Sequence, residues 1–408
     1  MSDNSVYMQL ACEIAFSKMG KTSPNPSVGA VIVRDGRILG QGGTGPYGSD
    51  HAEITALKSA RNSGADLNGA DIYVSLEPCS HYGKTPPCTE AIIQSGIKKV
   101  IIPILDPNPL VAGKGVKRLI EAGVEVEIMH SFSDAAADLL RGFKKYILRG
   151  QSFIINKCAV TLDGKIATET GDSKWISSDA ARLFVHKLRS KMDAVIVGRN
   201  TFINDNPSLN IRPDDFDKPV RDIFSGGGVR LNGRENFLLE QIIKSDPDPS
   251  VEPLRVLIGM PEKIPDNSNF LRDNNYVIID SEKSFHEAVK NTPLLKGCED
   301  KLNMRLWQGE EKDAGIDFIF QVLKEKGIMH AMLEGGGGVN GTFFDSGSID
   351  QFLYIIAPKV AGHGIPPIKG APLERMSDSL LLHDITTAMI ERDLLYCGYR
   401  EKYNFEMM

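Results

Sequence analysis

Three residues whose side chains can ligate zinc lie in the first quarter of the chain, and a carboxylate stands beside one of them. His51 and Glu53 are separated by one alanine, Cys79 follows a proline, and Cys88 comes nine residues after Cys79. One imidazole and two thiolates leave the fourth tetrahedral position of zinc open to water. A glutamate two residues from the histidine can move the protons of that water. The spacing therefore predicts a hydrolytic zinc site.

The order of these residues is that of zinc deaminases, in which His-x-Glu precedes Pro-Cys and a further cysteine. In such a site Glu53 would take a proton from water and deliver it to a ring nitrogen and then to the leaving amine. Ammonia departs and a carbonyl remains. The alternative is a closed structural site in which His81 supplies a fourth ligand and the metal only holds the fold. Deamination gives Glu53 a role, whereas the closed site does not.

Local sequence places the ligands where strands end and helices begin. Asp50 is predicted to cap the helix that carries His51 and Glu53, and the prolines before Cys88 favour a helix start there. The positive end of each helix dipole would stabilise thiolates at these positions. A helix is predicted over 6–19, because Val6, Leu10 and Ile14 recur at four-residue spacing. A hairpin is predicted at Asp35-Gly36, and strands are predicted over 71–76, 99–105 and 124–129. The other predicted helices run from about His51 to Arg61, from Cys88 to about Ser95, over 114–122 and, as a connector, over about 132–149.

Apolar runs and helical patterns alternate again from Phe153 onward, which is typical of a mostly parallel sheet. We therefore expect two α/β domains, over residues 1–149 and 150–408. Residues 213–253 contain glycines at 226–228, mixed charge and Asp246-Pro247-Asp248-Pro249, and are interpreted as an inserted surface loop. The predicted elements of this half are strands over 153–160, 194–197, 255–258, 276–279, 329–333 and 351–356 and a helix over 179–191.

Composition favours a small substrate over a polymer. The 408 residues include 47 Lys and Arg against 53 Asp and Glu, a net charge of −6, so the chain lacks the basic footprint of a nucleic-acid-binding protein. No apolar run approaches the ~20 residues that span a bilayer, and the N-terminus lacks a signal-peptide pattern. The six cysteines do not form a disulfide framework. We expect a cytoplasmic protein that binds neither nucleic acid nor membrane.

A glycine-rich stretch in the second half is a candidate phosphate site. Residues 334–342 read Glu-Gly-Gly-Gly-Gly-Val-Asn-Gly-Thr, follow a buried strand and precede a short helix. Bare backbone amides in this context can approach phosphate oxygens. Because the stretch is not the G-x-G-x-x-G fingerprint, a plain glycine turn is the alternative.

Several motifs together resemble the bifunctional deaminase/reductase family of riboflavin biosynthesis. Eight residues, 80–87, separate the zinc cysteines, with Ser23-Pro24-Asn25-Pro26 upstream and Asp106-Pro107-Asn108-Pro109 downstream. Residues 157–165, Ser173-x-Trp175-Ile176-Ser177 and 198–212 are similar to the reductase domain of that family. The resemblance implies a cytidine-deaminase-like α/β/α sandwich followed by a dihydrofolate-reductase-like α/β domain. It also implies Zn²⁺ and NADPH as cofactors and a homodimer formed through the reductase domain.

The same resemblance implies a phosphorylated pyrimidine as the substrate, a diaminopyrimidinone ribosylamino phosphate. It would be deaminated first, and its ribosyl group would then be reduced to ribityl. Asp205 would supply a proton when hydride reaches the ribose C1, and Lys157 would orient the sugar. Asn25, Lys114 and the loop over 80–85 would help to hold base or phosphate.

Carried over position by position, the resemblance also assigns binding residues. Arg189 and Arg212 could clamp a phosphate through two hydrogen bonds each. Met260 departs from the small polar residue that relatives commonly place near the cofactor. The implied NADPH contacts are Ala159, Trp175, Thr201, Asp205, Gly336, Gly337, Gly338, Val339, Asn340, Gly341 and Thr342, and the implied substrate contacts are Asn25, Ser173, Arg189, Leu209, Arg212 and Glu334.

Two rival functions are compatible with parts of the sequence. One is a nucleoside or nucleic-acid deaminase with a decayed reductase domain, which the cysteine spacing and the acidic charge disfavour. The other is a non-catalytic binding protein that zinc stabilises. That protein would be insensitive to loss of the Glu53 carboxylate but would unfold on chelation.

Overall fold

The structure is a computed structural model that describes residues 3–82, 86–216, 218–225, 229–233, 235–261, 264, 267–291, 302–308 and 312–402. The described chain forms two compact units. The first consists of residues 3–150 together with Asn236–Gln241, and the second consists of the described parts of Gln151–Glu235 and Ile242–Tyr403. Each unit has helices beside a sheet with both parallel and antiparallel pairs, so the expected α/β class is confirmed.

The sheet of the first unit has five strands in the order β2-β1-β3-β4-β5. They are β1 (Gly29–Arg34), β2 (Arg37–Gly43), β3 (Asp71–Val74), β4 (Lys99–Ile102) and β5 (Glu125–Ile128). Strand β1 is antiparallel to β2 and β3, whereas β3, β4 and β5 are parallel. Asp35 and Gly36 have φ values of 52° and 75°, as a two-residue hairpin turn requires, so the predicted hairpin is confirmed.

Five helices complete the first unit, namely α1 (Asp3–Lys18), α2 (Ala52–Asn62), α3 (Cys88–Gln94), α4 (Lys114–Glu121) and α5 (Ser133–Arg149). The predicted apolar stripe of α1 is wrong at its first position, since Val6 is 56% exposed. Helix α1 packs against β1 through a neighbouring face instead. That buried face consists of Met8, Ala11, Cys12, Ala15 and Phe16.

The predicted cap of α2 is also wrong. His51 occupies the N-cap position with an extended backbone and makes no side-chain cap. The carboxylate of Asp50 instead pairs with Lys58 Nζ at 2.5 Å. The imidazole of His51 therefore stands at the start of α2 without a capping role, which leaves its ring nitrogens available to other groups.

The sheet of the second unit has ten strands, in the order β11-β10-β9-β7-β12-β6-β13-β15-β14-β8. They are β6 (Phe153–Thr161), β7 (Ala194–Gly198), β8 (Leu231–Gly233), β9 (Leu254–Ile258), β10 (Tyr276–Ser281), β11 (Met304–Trp307), β12 (His330–Leu333), β13 (Gln351–Ala357), β14 (His383–Ile390) and β15 (Asp393–Tyr399). The pairs from β11 to β13 are parallel, and those from β13 to β8 are antiparallel. The sequence predicted the parallel strands except β11 and missed β8, β14 and β15.

Central strands of the second unit are buried on both faces. All four residues of β12 and the first four of β7 are buried, which explains the continuous apolar runs in their sequences. Ile154, Ile196, Val256, Ala331 and Leu333 form one buried cluster. The helices α6 (Asp179–Arg189), α7 (Arg199–Asp205), α10 (Glu282–Asn291), α11 (Lys312–Glu325) and α12 (Gly337–Asp345) accompany this sheet. Among the helices in the described part of the chain, none has the length and apolar character to cross a membrane.

The interpretation of residues 213–253 as a surface loop is wrong for their described part. That part contains strand β8 and helices α8 (Lys218–Ser225) and α9 (Phe237–Lys244). Phe224 lies 4.1 Å from the Lys187 Nζ atom, which also donates a hydrogen bond to the Ile243 carbonyl at 2.9 Å. Burial of apolar residues at helical spacing makes these helices part of the packed structure. The buried apolar residues are Phe224, Leu238, Leu239, Ile242 and Ile243. The glycines at 226–228 lie outside the described residues.

Candidate active sites

His51, Cys79 and Cys88 converge in the first unit, with ligand atoms that all lie within 4.8 Å of one another. His51 Nδ1 is 3.7 Å from Cys79 Sγ and 3.4 Å from Cys88 Sγ. Ligands at about 2.0 Å (nitrogen) and about 2.3 Å (sulfur) from one tetrahedral zinc ion are about 3.5 Å apart. The donor set and its spacing thus fit a zinc ion with its fourth position open.

Hydrogen bonding prepares Cys79 to act as a thiolate. Hydrogen bonds from the Cys88 thiol and from His51 lower the pKa of Cys79 below its ordinary value, although the thiol is largely buried. The backbone N–H of Cys88, at the start of α3, also donates to Cys79 Sγ at 3.4 Å. Because the thiolate is the form that binds metal, these donors favour the ligating state.

Glu53 lies in the first turn of α2 and is only 4% exposed. Desolvation raises the pKa of its carboxyl to about 7, and the charge of nearby Cys79 acts in the same direction. A carboxyl with a pKa near neutrality can both take up and release a proton at physiological pH. This environment suits the proton transfer that the sequence predicts for Glu53.

A cavity of about 410 Å³ opens onto His51, Cys79 and Glu53. Burial raises the pKa of Asp106, in its wall, to about 6, with the charges of Glu77 and Cys79 adding to the effect. Phe143 and Ile147 of α5 form an apolar part of the wall, although the sequence predicted only a connector there. The other residues in the wall include Asn25, Thr44, Tyr47, His81, Asn108 and Val111.

Glu77 organises the chain segment that carries Asp106. The side chain is 3% exposed. Its Oε2 accepts hydrogen bonds from the N–H groups of Asp106 at 3.0 Å and Gly113 at 2.9 Å, and Oε1 accepts one from Val116 at 3.1 Å. Gly115 lies so close to this turn that a Cβ atom would meet the Pro78 carbonyl oxygen at 2.1 Å. Glu77 was not predicted from the sequence, although an acidic residue directly before Pro-Cys was a visible signal.

The closed structural site finds no support in the described residues. The ligand cluster there contains His51, Cys79 and Cys88 but not His81, which is exposed in the cavity wall. Asn25 lines the cavity as expected. Lys114 is exposed and donates to the Leu110 carbonyl at 2.9 Å. Residues 83–85 of the predicted binding loop lie outside the described residues.

The second unit has a larger cavity, of about 690 Å³. It lies where the parallel strands β7, β9 and β12 end, the usual position of ligands in such sheets. Most of the predicted reductase residues lie in its wall, namely Lys157, Ala159, Ser173, Trp175, Thr201, Asp205, Glu334, Gly336, Gly337, Gly338, Val339 and Thr342.

Glu334 is a carboxylate with a side-chain exposure of 12% that lies between two cations. Its Oε1 accepts hydrogen bonds from Arg189 Nη2 at 2.8 Å and Nε at 3.1 Å, and Lys157 Nζ lies 3.7 Å from Oε2. Burial alone would raise the pKa of Glu334, but Arg189 and Lys157 hold it below its ordinary value. The three side chains therefore form a charged cluster that fixes Lys157 at the cavity wall.

Asp205 ends α7 and is exposed to the same cavity. Partial desolvation raises the pKa of its carboxyl, and Lys174 opposes the shift. A raised pKa favours the protonated form that a proton donor needs. The environment of Asp205 is thus compatible with the predicted role.

The glycine-rich turn divides into an open part and a packed part. A Cβ atom at Gly338 would have no other atom within 4 Å, and at Gly336 it would lie 3.7 Å from the Thr201 hydroxyl. Asn340 is fully buried and donates to the carbonyls of Gly335 at 3.0 Å and Pro367 at 2.8 Å. At Gly341 a Cβ would meet the Lys369 carbonyl oxygen at 2.1 Å. The open glycines can face a ligand, whereas Asn340 and Gly341 hold the turn in shape.

Three predicted substrate residues lie outside the cavity wall. The guanidinium of Arg189 donates to Glu334 and, through Nη1, to the Asn210 carbonyl at 2.7 Å. Arg212 pairs with Asp215 at 3.2 Å. Leu209 is buried, with φ of 53°. Their contact with substrate stays a prediction, and Arg189 has the demonstrable task of holding Glu334.

The cavity wall also contains cations that were not predicted from the sequence. Arg182 has its guanidinium carbon 4.3 Å from the Trp175 ring centre and pairs with Asp179. Lys369 lies beside Gly337, and Arg199 lies at the end of β7. Basic residues are common on surfaces, so their types alone gave no signal.

Comparison with known proteins finds related families for both units. Residues 152–395 match the RibD C-terminal domain family, and residues 1–104 match the cytidine and deoxycytidylate deaminase zinc-binding region. The chain is 37% identical over 374 residues to the riboflavin biosynthesis protein RibD of Bacillus amyloliquefaciens, across 91% of this chain and 90% of that protein. It is 39% identical over 361 residues to the RibD protein of Aquifex aeolicus, across 88% of each.

Solved structures show the same likeness over nearly the whole chain. One from Thermotoga maritima, a diaminohydroxyphosphoribosylaminopyrimidine deaminase/5-amino-6-(5-phosphoribosylamino)uracil reductase, has a TM-score of 0.77 and 31% identity. It covers 97% of this chain and 98% of that one. RibD from Acinetobacter baumannii has a TM-score of 0.73 and 30% identity with the same coverage.

Proposed function

The chain belongs to the RibD family, and on that premise we propose that it catalyses two successive reactions on one riboflavin precursor. The first unit deaminates the precursor and the second reduces it. The observation that carries the proposal is the convergence of His51, Cys79 and Cys88 beside buried Glu53, in a chain that also contains the reductase family's domain.

The proposed substrate is 2,5-diamino-6-ribosylamino-4(3H)-pyrimidinone 5′-phosphate. Hydrolysis replaces its ring amino group by a carbonyl oxygen and releases ammonia. Reduction of the sugar by NADPH then gives 5-amino-6-ribitylaminouracil 5′-phosphate. The two activities in the name of the Thermotoga maritima protein support this assignment, as does a cavity in each unit.

In the first unit, His51, Cys79 and Cys88 would hold the zinc ion. The ion, when bound, supplies Lewis-acid activation of water. Glu53 would accept one proton from the attacking water and pass it to the ring nitrogen, and would then carry the second proton of that water to the leaving amine, which its near-neutral pKa permits. Asp106, Asn108 and Asn25 line the cavity and offer hydrogen-bonding groups to the pyrimidinone.

In the second unit, NADPH supplies the hydride for the ribose C1. The open backbone at Gly336 and Gly338 can approach the cofactor's phosphates, and Ala159, Trp175 and Thr201 line the same cavity. Asp205 would donate the proton that accompanies the hydride. Lys157, held by Glu334, would orient the sugar.

Three broader features belong to the same proposal. We propose a deaminase domain over 1–149 and a reductase domain over 150–408. Cys12, Cys79, Cys88, Cys158 and Cys397 are not in disulfides, which suits a reducing cytoplasm. A dimer through the reductase domain follows from family resemblance alone, and light scattering at several protein concentrations would test it.

Mass spectrometry of the products tests both activities in one tube. With the diaminopyrimidinone phosphate alone, a mass change for amine-to-carbonyl exchange is expected together with ammonia. Addition of NADPH should add two hydrogens to that product. The deaminase half would be overturned if the purified protein contains no zinc and still releases no ammonia from this substrate after zinc is supplied. Turnover of cytidine or single-stranded RNA in place of this substrate would favour the rival deaminase.

A further inference from the structure

One side of the cavity in the first unit is a short turn that belongs to neither a helix nor a strand. Pro24, Asn25 and Pro26 line the cavity there. The two prolines have no backbone N–H, so the turn has few donors with which to hold its shape. Within the described residues the Asn25 carboxamide makes no hydrogen bond. Its oxygen and its NH₂ group are therefore available to a ligand in the cavity.

Thr22 makes both hydrogen bonds of the Asn25 backbone. The N–H of Asn25 donates to the Thr22 carbonyl at 2.9 Å, and the Thr22 hydroxyl donates to the Asn25 carbonyl at 3.0 Å. Thr22 is 1% exposed and does not itself line the described cavity wall. A single buried residue behind the wall thus holds the backbone of Asn25 on both sides of its Cα atom.

The hydroxyl of Ser27 extends this arrangement. Ser27 is buried, and its Oγ lies 2.9 Å from Thr22 Oγ1. A threonine hydroxyl has one hydrogen, and that of Thr22 is directed to the Asn25 carbonyl, so Ser27 is the donor between the two hydroxyls. The hydrogen bonds therefore run in one direction, from Ser27 to Thr22 and from Thr22 to Asn25, and each one polarises the next. Loss of the Thr22 hydroxyl would break this chain at its centre.

We infer that Thr22 is a positioning residue of the deaminase, which holds the Asn25 carboxamide in the orientation that the substrate requires. Thr22 acts through Asn25, because it lies behind the cavity wall and bonds the Asn25 backbone directly. The inference rests on the proposed deaminase function. It adds a residue outside the cavity that determines the affinity for the substrate.

Steady-state deamination of the diaminopyrimidinone phosphate by the full chain tests the inference. Thr22→Val keeps the shape of the side chain and removes the hydroxyl. The KM should rise about fivefold, because loss of the hydrogen bond frees Asn25. The kcat should change by less than about twofold, because Glu53 is untouched. Thr22→Ser keeps the hydroxyl and should restore the wild-type KM, whereas Ser27→Ala removes the first donor and should raise the KM about twofold.

A double variant separates positioning from a general loss of stability. Asn25→Ala removes the carboxamide but keeps the backbone groups that Thr22 bonds. In this background Thr22→Val should raise the KM no further, because the group that Thr22 orients is absent. The unfolding temperature should still fall on Thr22→Val in both backgrounds, since the hydrogen bond to the backbone carbonyl is lost in each.

Ser133→Ala is the matched control. Ser133 is buried and its hydroxyl donates to the Pro103 carbonyl at 2.6 Å, and neither residue lines the described cavity wall. This substitution also removes a buried hydroxyl from a backbone carbonyl in the first unit. It should lower the unfolding temperature about as much as Thr22→Val and leave the KM unchanged.

Two results would overturn the inference, and they can be told apart from failure of the proposed function. If Thr22→Val folds with a wild-type KM, Thr22 does not position Asn25. If its effect on KM is the same without the Asn25 carboxamide, or if Ser133→Ala raises the KM as much, Thr22 is only a structural residue. Should Thr22→Val not fold, an unchanged KM in Ser27→Ala would overturn the inference in its place. Wild-type protein that contains zinc and releases no ammonia would overturn the proposed deaminase, and this inference with it.

Discussion

Each unit has a largely shielded glutamate at its site, and the surroundings shift the pKa values of the two carboxyl groups in opposite directions. Glu53 is desolvated beside a thiolate, and its pKa rises to about 7. Glu334 is also largely shielded, but Arg189 and Lys157 hold its pKa below the ordinary value. Burial alone does not determine the state of a carboxyl group. The presence or absence of a cation within hydrogen-bonding distance does.

The opposite pKa shifts of Glu53 and Glu334 match the different roles of the two carboxyl groups. A group that shuttles protons must both take up and release a proton, and desolvation with no lysine or arginine beside it among the described residues raises the pKa of Glu53 towards neutrality. A group that fixes a lysine and an arginine needs a permanent negative charge, which the cations provide for Glu334. We therefore expect substitutions at Glu53 to change chemistry and substitutions around Glu334 to change stability and geometry.

The largest expected effect is that of Glu53→Gln. The amide fills the same space but cannot accept and return a proton, so deamination should fall by about 10³-fold or more. Zinc content, measured by elemental mass spectrometry, should stay at the wild-type level because Glu53 is not a ligand. Reduction of separately prepared deaminated substrate should be unaffected. Retention of ammonia release would remove Glu53 from the mechanism.

Arg189→Met should have the next largest effect, on the second unit. It leaves Glu334 as a largely shielded charge with Lys157 as its remaining partner at 3.7 Å. Breaking a buried ion pair from one side costs about 3–5 kcal/mol. Urea unfolding followed by tryptophan emission reports this unit alone, because both tryptophans, Trp175 and Trp307, belong to it.

Arg182→Met on the same helix is the matched control for that measurement. Its pair with Asp179 is on the surface, with side-chain exposures of 28% and 55%. Exposed pairs contribute about 0–1 kcal/mol, so the unfolding midpoint should move little. Equal destabilisation by the two substitutions would show that Glu334 does not depend on Arg189.

A smaller effect is expected at Glu77, another buried acidic residue of the first unit. Glu77→Gln leaves at least one of the N–H groups of Asp106, Gly113 and Val116 facing an amide NH₂. An unsatisfied buried donor costs about 1–3 kcal/mol. Hydrogen exchange at those three amides should accelerate, and the KM of deamination should rise more than kcat falls, because Asp106 lines the cavity.

Glu90→Gln provides the comparison for Glu77. Glu90 pairs with Arg118 at 2.6 Å, but both side chains are partly exposed. We expect less than about 1 kcal/mol of destabilisation and normal exchange at the Asp106 amide. If Glu77→Gln resembled Glu90→Gln in both measurements, the three hydrogen bonds would not be what orders this segment.

The two sites also differ in how far the sequence predicted them. The convergence of His51, Cys79 and Cys88 was predicted from the sequence, because ligand chemistry belongs to residue types and each of the three lies at a strand end or helix start. Glu77 was missed because its partners are backbone groups 29, 36 and 39 positions away. Arg189 and Glu334 are 145 positions apart in the sequence. The sequence therefore identified a basic residue but not the side chain that it contacts.

The wrong predictions of secondary structure also arise because residue type does not show which group a side chain contacts in the fold. Asp50 has the right residue type for a helix cap, but His51 occupies that position and Asp50 pairs with Lys58. Turn-forming residues in 213–253 suggested a loop, whereas Phe224 and Ile243 are buried in helices. Residue type predicted local chemistry well. The direction in which a side chain points and the group that it contacts depend on packing between segments that are distant in the sequence.

The smallest expected effect is a pH dependence that separates the two glutamates. An unfolded glutamate has a pKa of about 4.3, and that of folded Glu334 is lower. Between these values the unfolded chain binds more protons, so the stabilising effect of ionised Glu334 is fully present above about pH 4.3 and is lost as the pH falls through the folded pKa. The difference in unfolding free energy between wild type and Glu334→Gln, followed by tryptophan emission, should therefore shrink below about pH 4, with a limiting slope of about 1.4 kcal/mol for each unit of pH. Arg189→Met should weaken this dependence, because one of the two cations that lower the pKa of Glu334 is gone while Lys157 remains. A difference that stays constant across this range would mean that Glu334 is not held ionised by its cations, and the contrast with Glu53 would fail.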